Sequence, residues 1–341
     1  MDLHVRPFTL TLSEPFVISR SADDEAEVVQ VAIAHDGVVG YGEAAPDPHY
    51  GESVPGAIEF CEGAAADLGD DPFAVEAILG RVASRGDQMA ARCAIDSALH
   101  DLVGKLCGQP LWRILGLDHG TIPPTSYTIS IDTVEGTADR ARRAAGYHAL
   151  KIKVGGPDDL ERVRVVRGEA PDALIRVDAN EAWTVEFTRD ICPELVALNV
   201  ELIEQPLPAA ATDAYEELHR MQLPIPIVLD ESCHTLPDVA AAWGRGDGVN
   251  IKLTKSGGIR EALRMIHAAR ALGLRIMLGC MNESSLGIAP AAQISALVDI
   301  VDLDGHLLNA NDAFTGLGFA DGAVLPSDEP GLGVEPLEAW V

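Results

Sequence analysis

Short apolar runs, separated by longer segments with helical periodicity, dominate the chain from about residue 122 onward. An apolar run of four to eight residues flanked by turn-forming residues is typical of a buried strand, and the spacing here leaves room for one crossover helix. In segment 259–272, for example, Ile259, Leu263 and Ile266 recur at three- and four-residue steps. Eight runs are predicted to be strands: 124–130, 149–154, 174–180, 201–206, 226–232, 248–254, 275–281 and 299–305. This alternation predicts an α/β fold with a closed parallel barrel.

The first 115 or so residues follow a different pattern. The run V-V-Q-V-A-I-A-H followed by D-G-V-V-G-Y-G-E predicts a hairpin with Asp36 and Gly37 in its turn, and segment 88–106 has helical spacing. Strands followed by helices, without alternation, predict a separate α+β domain. We therefore expect an α+β domain at 1–115, the barrel at 116–310, and a Gly-, Asp- and Pro-rich segment at 311–341 that returns to the first domain.

Composition narrows the classes of partner and compartment. The 341 residues have a formal net charge of −28 and a sequence pI of about 4.5. Nucleic acids and anionic membranes attract basic patches, so neither is expected as a partner. The six cysteines show no close pairing, and the N-terminus lacks the basic-then-apolar pattern of a signal peptide. With no apolar stretch of membrane-spanning length, these features predict a cytoplasmic protein.

Charged residues lie at the ends of five predicted strands, where core packing gives no reason for them. They recur every 22 to 26 residues and are Lys153, Asp178, Glu204, Asp230 and Lys252. Because the carboxyl ends of parallel barrel strands meet at one rim, we expect the three carboxylates to converge. Three oxygen ligands without His or Cys suit Mg²⁺ better than Zn²⁺ and leave positions for substrate and water. The alternative is an acidic rim that binds no metal.

Two further lysine features suggest acid–base chemistry. Lys151 and Lys153 are two residues apart in one strand, so both side chains project to the same face. Since the apolar residues Leu150, Ile152 and Val154 occupy the other face, we expect the lysines to face the barrel interior. We expect the two ammonium groups, and a nearby metal, to lower their pKa values, which would allow one lysine to act as a general base. The alternative is a structural ion pair with the carboxylates. Lys252 comes from the sixth strand, across the barrel, and two bases on opposite sides of one carbon are what inversion of a stereocentre requires.

Three more residues are candidates for substrate binding. The last strand ends V-D-L-D-G, so Asp302 and Asp304 share a face. We expect this pair well away from the three metal ligands, where it would bind a substrate ammonium; the alternative is a pair of helix-capping carboxylates. Arg20 lies in a loop between two predicted strands, where a lone arginine is usually only solvated. Segment 48–53, P-H-Y-G-E-S, has the composition of a second loop.

Together these residues resemble the enolase superfamily, its muconate-lactonising subgroup and, within it, the dipeptide epimerases, most closely the L-Ala-D/L-Glu epimerases. The resemblance spans nearly the whole chain. It rests on K-x-K at Lys151–Lys153, D-A-N at Asp178, E-Q-P at Glu204, D-E-S at Asp230, N-I-K at Lys252, G-C-M-x-E-S around Met281 and D-x-D at Asp302–Asp304. The whole subgroup shares the K-x-K and carboxylate set, whereas D-x-D separates dipeptide epimerases from its cycloisomerases, acylamino acid racemases and o-succinylbenzoate synthases.

This resemblance implies a (β/α)7β barrel under an α+β capping domain, and an isomerase that epimerises the C-terminal residue of a dipeptide by 1,1-proton transfer through an enediolate. It implies roles for eleven residues. Lys153 and Lys252 would be the acid/base catalysts; Asp178, Glu204 and Asp230 would hold Mg²⁺; Lys151 would assist the charge on the substrate carboxylate; Asp302 and Asp304 would bind the α-ammonium; Thr128 and Met281 would contact the dipeptide; and Arg20 would meet a glutamate side chain. One departure is Asp23, which stands where some relatives have a second basic residue.

Ala-Glu is the first candidate substrate, which implies recycling of peptidoglycan-derived peptides. Three alternatives remain: an epimerase of other, hydrophobic or basic dipeptides, an N-acylamino acid racemase or cycloisomerase of the same subgroup, and a catalytically silent barrel that only binds peptides. A free substrate ammonium favours the epimerase, because Asp302 and Asp304 would repel an N-succinyl carboxylate. The expected partner is therefore a small dipeptide, and the oligomeric state stays open, a homo-oligomer being one option.

Overall fold

The computed structural model describes residues 1–118, 120 and 122–340. Residues 119 and 121, within the predicted barrel range 116–310, and residue 341, within the predicted C-terminal range 311–341, lie outside this description. Within the described residues the chain forms a three-stranded antiparallel sheet with helices and an eight-stranded parallel sheet.

The three-stranded sheet and four helices make up the N-terminal part. The strands are β1 (Asp2–Val17), β2 (Ala22–His35) and β3 (Val38–Ala44), and the helices are α1 (Val54–Leu68), α2 (Val75–Ala83), α3 (Met89–Cys107) and α4 (Leu111–Ile114). Asp36 and Gly37 have φ values of 49° and 80°, as the tight turn of a hairpin requires. The predicted hairpin and the helix predicted at 88–106 are therefore confirmed. Apolar residues of β2 and α3, such as Val31 and Ile95, form a separate core here.

The eight-stranded sheet forms the barrel. Its strands are β4 (Ser126–Ile129), β5 (Ala149–Lys153), β6 (Leu174–Asp178), β7 (Val200–Glu204), β8 (Ile227–Leu229), β9 (Gly248–Lys252), β10 (Arg275–Gly279) and β11 (Ile300–Asp302). The helices between them are α5 (Val134–Arg143), α6 (Asp159–Glu169), α7 (Val185–Ala197), α8 (Thr212–Met221), α9 (Leu236–Ala242), α10 (Leu253–Ser256), α11 (Ile259–Ala271) and α12 (Ser285–Ile294). Strand order follows chain order, and a parallel bridge between Thr125 and Val301 joins the two ends. The (β/α)7β barrel is confirmed.

Apolar residues on both faces of the strands explain this arrangement. Residues from four strands, including Leu202 of β7 and Met277 of β10, form a cluster in the barrel interior, whereas Leu150 and Val177 pack outward against the helices. All eight predicted strands exist, but each prediction runs one to three residues too far at its carboxyl end. The loops that follow the strands are buried, so their composition resembles that of a strand.

The C-terminal segment contains four short strands: β12 (Phe314–Thr315), β13 (Gly318–Ala320), β14 (Ala323–Leu325) and β15 (Glu335–Pro336). The backbone N–H of Leu332 donates to Asp101 in α3 (2.7 Å), and Thr125 N–H beside β4 donates to the Gly322 carbonyl (2.9 Å). The segment thus contacts both larger parts, and the predicted domain boundaries stay a prediction. In the described part of the chain, no helix combines the length and the apolar composition needed to span a membrane.

Candidate active site

Strand register brings the predicted polar residues to one rim. Lys153 at the end of β5 pairs with Asp178 of β6, and Asp178 pairs with Glu204 of β7. On the other side, Lys252 of β9 pairs with Gly279, which pairs with Asp302 of β11. Because these strands are parallel, all of these residues lie at the carboxyl end of the barrel, where enzymes of this architecture place their active sites.

The three carboxylates are almost fully buried, and each bonds a neighbouring side chain. Asp178 accepts a hydrogen bond from Lys153 Nζ (2.6 Å), and Glu204 Oε1 accepts one from Asn250 Nδ2 (2.7 Å). Asp230, in the loop directly after β8, lies 2.9 Å from Lys252 Nζ. Although burial opposes ionisation, Lys252 and Lys255 hold the pKa of Asp230 far below its usual range. The three carboxylates therefore lie within a network of lysines.

The donor set fits a hard divalent cation. Glu204 Oε2 is buried and has no hydrogen-bond partner among the described residues. Burial, together with Asp178 and Asp230, raises the pKa of Glu204 to about 8, against the opposing effect of Lys151. Within residues 1–118, 120 and 122–340, no three acidic, His or Cys side chains are arranged to hold a metal ion. Lysines and Asn250 contact most of the carboxylate oxygens of the trio. Metal binding by this trio stays a prediction.

Lys153 and Lys252 face each other across the barrel mouth, since β5 and β9 are four strands apart in a barrel of eight. Both are buried, with exposed fractions of 6% and 8%. The Phe16 ring lies 5.7 Å from Lys153 Nζ, and Met281 Sδ lies 3.9 Å from Lys252 Nζ. An apolar group thus covers each amine on its own side.

The expected lowering of the pKa is wrong for Lys151 in the observed arrangement. Burial lowers the pKa of Lys151, but Asp302, Glu204 and Asp178 outweigh it and raise this pKa well above its usual value. The pKa of Lys252 is raised in the same way, against burial, mainly by Asp230. A divalent cation at the same carboxylates would weaken this effect, because it competes for the same negative charge.

The expected separation of the aspartate pair from the metal ligands is wrong for Asp302. Lys151 Nζ donates to Asp302 Oδ2 and also lies 3.7 Å from Glu204 Oε2. Barrel closure is the cause, because it places β11 beside β4 and one strand away from Lys151. Asp304 lies further out and accepts a hydrogen bond from Thr128 N–H (2.6 Å). Burial and the nearby Asp302 raise the pKa of Asp304 to about 6.

Two loops of the N-terminal part contact this rim. Arg20 Nη1 donates to Glu231 Oε1 (2.9 Å) and to the Asn180 carbonyl (3.3 Å). The 3-10 turn Pro48–Tyr50 places His49 Nε2 3.1 Å from Glu181 Oε2. Asp23, the departure in the arginine loop, is exposed and pairs with Phe16 in the β1–β2 ladder. The carboxylate that orients Arg20 is thus Glu231 of the barrel and not Asp23.

Sequence reasoning missed three residues of this network. Asn250 and Glu231 belong to the quoted motifs N-I-K and D-E-S, so the motifs could have indicated them. Lys255 Nζ bonds Asp230 Oδ1 (2.5 Å) and the Cys233 carbonyl (3.0 Å). It lies on the short helix α10, whose four residues give no periodic signal, so nothing in the pattern could have placed it.

Two cavities flank the lysines. One, of about 180 Å³, is lined in part by Tyr50, Lys255 and Met281 and so lies on the Lys252 side. The other, of about 210 Å³, is lined in part by Phe16 and Thr128 and lies on the side of Lys153 and Asp304. Each cavity is thus lined by a side chain that contacts one of the two lysines, Met281 for Lys252 and Phe16 for Lys153.

Comparison with known proteins agrees with this architecture. Residues 1–116 match the mandelate racemase/muconate lactonizing enzyme N-terminal domain, and residues 134–340 match the enolase C-terminal domain-like family. The chain is 40% identical over 337 residues to the L-Ala-D/L-Glu epimerase of Bacteroides thetaiotaomicron (98% of this chain, 88% of that protein). It is 37% identical to the hydrophobic dipeptide epimerase of Roseobacter litoralis, over 94% of each chain.

A solved structure gives the same result in three dimensions. The dipeptide epimerase of Cytophaga hutchinsonii, complexed with Mg and the dipeptide D-Ala-L-Val, superposes with a TM-score of 0.93 at 29% identity, over 99% of this chain and 96% of that one. Both domains match family models, and the relatives cover nearly the whole chain. The chain belongs to the mandelate racemase/muconate lactonizing enzyme family of the enolase superfamily.

Proposed function

We propose that this protein is a Mg²⁺-dependent dipeptide epimerase that inverts the α-carbon of the C-terminal residue by proton transfer between Lys153 and Lys252. The observation that supports this most strongly is the placement of two buried amines on opposite sides of one barrel mouth. A single base would suffice for elimination or for one-sided exchange. Inversion needs a proton acceptor on one face of the carbon and a proton donor on the other.

The remaining rim residues suit the charge that develops. Removing a proton next to a carboxylate adds negative charge to its oxygens, giving an enediolate. Lys151, buried between the metal-ligand candidates and Asp302, would offset that charge from a buried position. Asp178, Glu204 and Asp230 would hold Mg²⁺, which when bound supplies further positive charge to the substrate carboxylate.

The aspartate pair suits a free ammonium at the other end of the substrate. Asp304 is held by Thr128, and Asp302 Oδ1 is buried without a hydrogen-bond partner among the described residues. An α-ammonium would supply the donor that this oxygen lacks. An acyl group would not, which favours dipeptides over N-acylamino acids. The two cavities would take the two side chains of a dipeptide.

Ala-Glu is the substrate that we propose first, because the relative from Bacteroides thetaiotaomicron is named for it and because Arg20 lies at the rim with one guanidinium nitrogen fixed by Glu231. The relative named for hydrophobic dipeptides supports the alternative, an epimerase of uncharged dipeptides. We further propose a reducing compartment such as the cytoplasm, since all six cysteines are free.

A dipeptide library incubated with the protein and MgCl₂ in D₂O tests the proposal. An epimerase should add one deuterium at the C-terminal α-carbon, seen by mass spectrometry, and produce the L,D diastereomer, seen by chromatography. N-Acetyl-L-glutamate serves as the control that lacks an ammonium. Deuterium uptake with the N-acyl compound but not with dipeptides would indicate a racemase of acylamino acids instead, and uptake with neither would refute the proposed reaction.

A further inference from the structure

A buried carboxylate of the N-terminal sheet reaches the start of barrel helix α12. Glu43, on β3, accepts hydrogen bonds from Ser284 N–H at Oε1 (2.8 Å) and from Ser284 Oγ at Oε2 (2.5 Å). Ser284 is the N-cap of α12, and its Oγ also accepts the Leu286 N–H. Carboxylates are favourable at helix N-termini, which have unpaired N–H groups and a partial positive charge. Glu43 therefore holds the first turn of α12 from outside the barrel.

The segment held in this way, residues 280–284, connects β10 to α12 and includes Met281. On its other side, Asn309 Nδ2 donates to the Glu283 carbonyl (2.9 Å). Gly305 packs so closely that a Cβ there would lie 2.4 Å from the Met281 carbonyl oxygen. Segment 280–284 is thus clamped between Glu43 and the chain that follows β11.

The packing around Glu43 leaves little freedom for rearrangement. A Cβ at Gly287 would lie 2.7 Å from Glu43 Oε1 and 2.8 Å from the Glu283 Cβ, so only glycine fits between the two glutamates. Burial raises the pKa of Glu43 to about 7, and the donors of Ser284, with Gln30 at 3.4 Å, are what favour its charged form. Burying the Glu43 carboxylate costs free energy, and neutral donors offset only part of that cost. The contact with Ser284 therefore adds little stability, and its main effect is to fix the position of what it holds.

What this contact positions is the side chain beside one of the two proposed bases. Met281 Sδ lies 3.9 Å from Lys252 Nζ, whereas the neighbours of Lys153 are Phe16 of β1 and Asp178 of β6. Segment 280–284 therefore contacts one lysine and not the other. A shift of this segment would therefore disturb Lys252, which acts on one face of the substrate carbon, and leave Lys153 on the other face unaffected.

We propose that Glu43 is a positioning residue: through Ser284 it fixes segment 280–284, and with it Met281, against Lys252, so that the capping domain controls the base on one face of the substrate carbon. This inference rests on the proposed function, since it needs Lys252 to move a proton. Its consequence is an asymmetry. Loosening the Glu43–Ser284 contact slows proton removal by Lys252 more than proton removal by Lys153.

Wash-out of the α-proton into D₂O, measured separately for the two stereoisomers of one accepted dipeptide, tests the asymmetry. The isomer whose proton Lys252 removes is identified as the one that Lys252→Ala no longer exchanges. For Glu43→Ala we expect exchange of that isomer to fall about tenfold, because small misplacements of catalytic groups have effects of this size or larger. Exchange of the other isomer should change less than about twofold. Glu43→Gln keeps one acceptor oxygen and should show the same bias, smaller.

Asp101→Asn is the matched control. Asp101 is a buried carboxylate of the same domain that accepts two backbone N–H groups, from Tyr41 (2.9 Å) and Leu332 (2.7 Å). It also pairs with Lys105 Nζ (2.9 Å), and none of these partners belongs to segment 280–284. It should change both exchange rates equally. If Glu43→Ala does not fold, the same bias must appear in Ser284→Ala and Glu43→Gln.

Equal losses on both isomers for the Glu43 and Ser284 variants would overturn the inference and leave the proposed function standing. Absence of exchange in the parent protein would instead refute the proposed function. A bias of about fivefold or more toward the Lys252 isomer, absent from Asp101→Asn, would support the inference.

Discussion

Replacing Arg20 with Met tests which side chain the enzyme accepts. Arg20 Nη1 bonds Glu231 and lies 3.8 Å from Glu181, and every contact that the structure gives this guanidinium uses that one nitrogen. Nε and Nη2 therefore stay available to a carboxylate of the substrate. Since 29% of the Arg20 side chain is exposed, it can meet a ligand at the rim without moving away from Glu231.

The expected loss has two parts. Removing the Arg20–Glu231 bond releases the loop and lowers the rate on every substrate. Removing the contact with a glutamate side chain lowers the rate on Ala-Glu alone, by about 1.5–3 kcal/mol for a charge-assisted hydrogen bond, or roughly ten- to a hundredfold in kcat/KM. The ratio of kcat/KM for Ala-Glu to that for Ala-Leu removes the common part and should fall by this second factor.

Polarimetry on both dipeptides, for the parent, Arg20→Met and Arg20→Lys, gives the ratio. Arg20→Lys keeps the charge but loses the second edge of the guanidinium, so its ratio should lie between the other two. An unchanged ratio in Arg20→Met would mean that Arg20 only holds the loop. The glutamate assignment should then be abandoned in favour of uncharged dipeptides.

Three further predictions concern the rim. Glu204→Gln should weaken Mg²⁺ binding, measured by isothermal titration calorimetry, by about 10- to 100-fold or more, since even the loss of a residue that only supports a metal ligand has an effect of this size in other proteins. Unchanged affinity would remove Glu204 from the metal site. Asp304→Asn should lower kcat/KM for Ala-Glu roughly tenfold through a weakened ammonium contact, and an unaffected rate would place the ammonium elsewhere. Lys255→Met should remove one of the two lysine partners of the buried Asp230 and lower stability by about 1.5–3 kcal/mol in urea denaturation, whereas wild-type stability would show that Lys252 alone suffices.

Local patterns were enough to predict the barrel and most of its rim. The eight apolar runs identify the strands because parallel strands are buried on both faces. The position of Asp178 and Glu204 at strand ends then follows from parallel register, since both strands end at the same rim. Lys153 and Asp178 lie side by side at the ends of neighbouring strands, and the period of the repeat alone was enough to predict that.

What the pattern could not predict depends on closure of the barrel and on contacts between domains. Asp302 is far from Lys151 in sequence, and only the joining of β11 to β4 brings their side chains together. Arg20 could be placed in a loop, but its partner Glu231 lies 211 positions away in a different domain. The raised pKa of Lys151 was unpredictable for the same reason, because the carboxylates nearest to it are brought there by tertiary packing.

The central claim is that two lysines serve opposite faces of one carbon, and stereospecific exchange in single-lysine variants tests it most directly. Lys153→Ala and Lys252→Ala are incubated with Mg²⁺ in D₂O and each diastereomer of an accepted dipeptide, and α-deuterium is measured by NMR. Neither variant should epimerise, and each should exchange the α-proton of one diastereomer, a different one for each variant. Epimerisation by either variant at near the parental rate, or exchange of the same diastereomer by both, would contradict the two-base account.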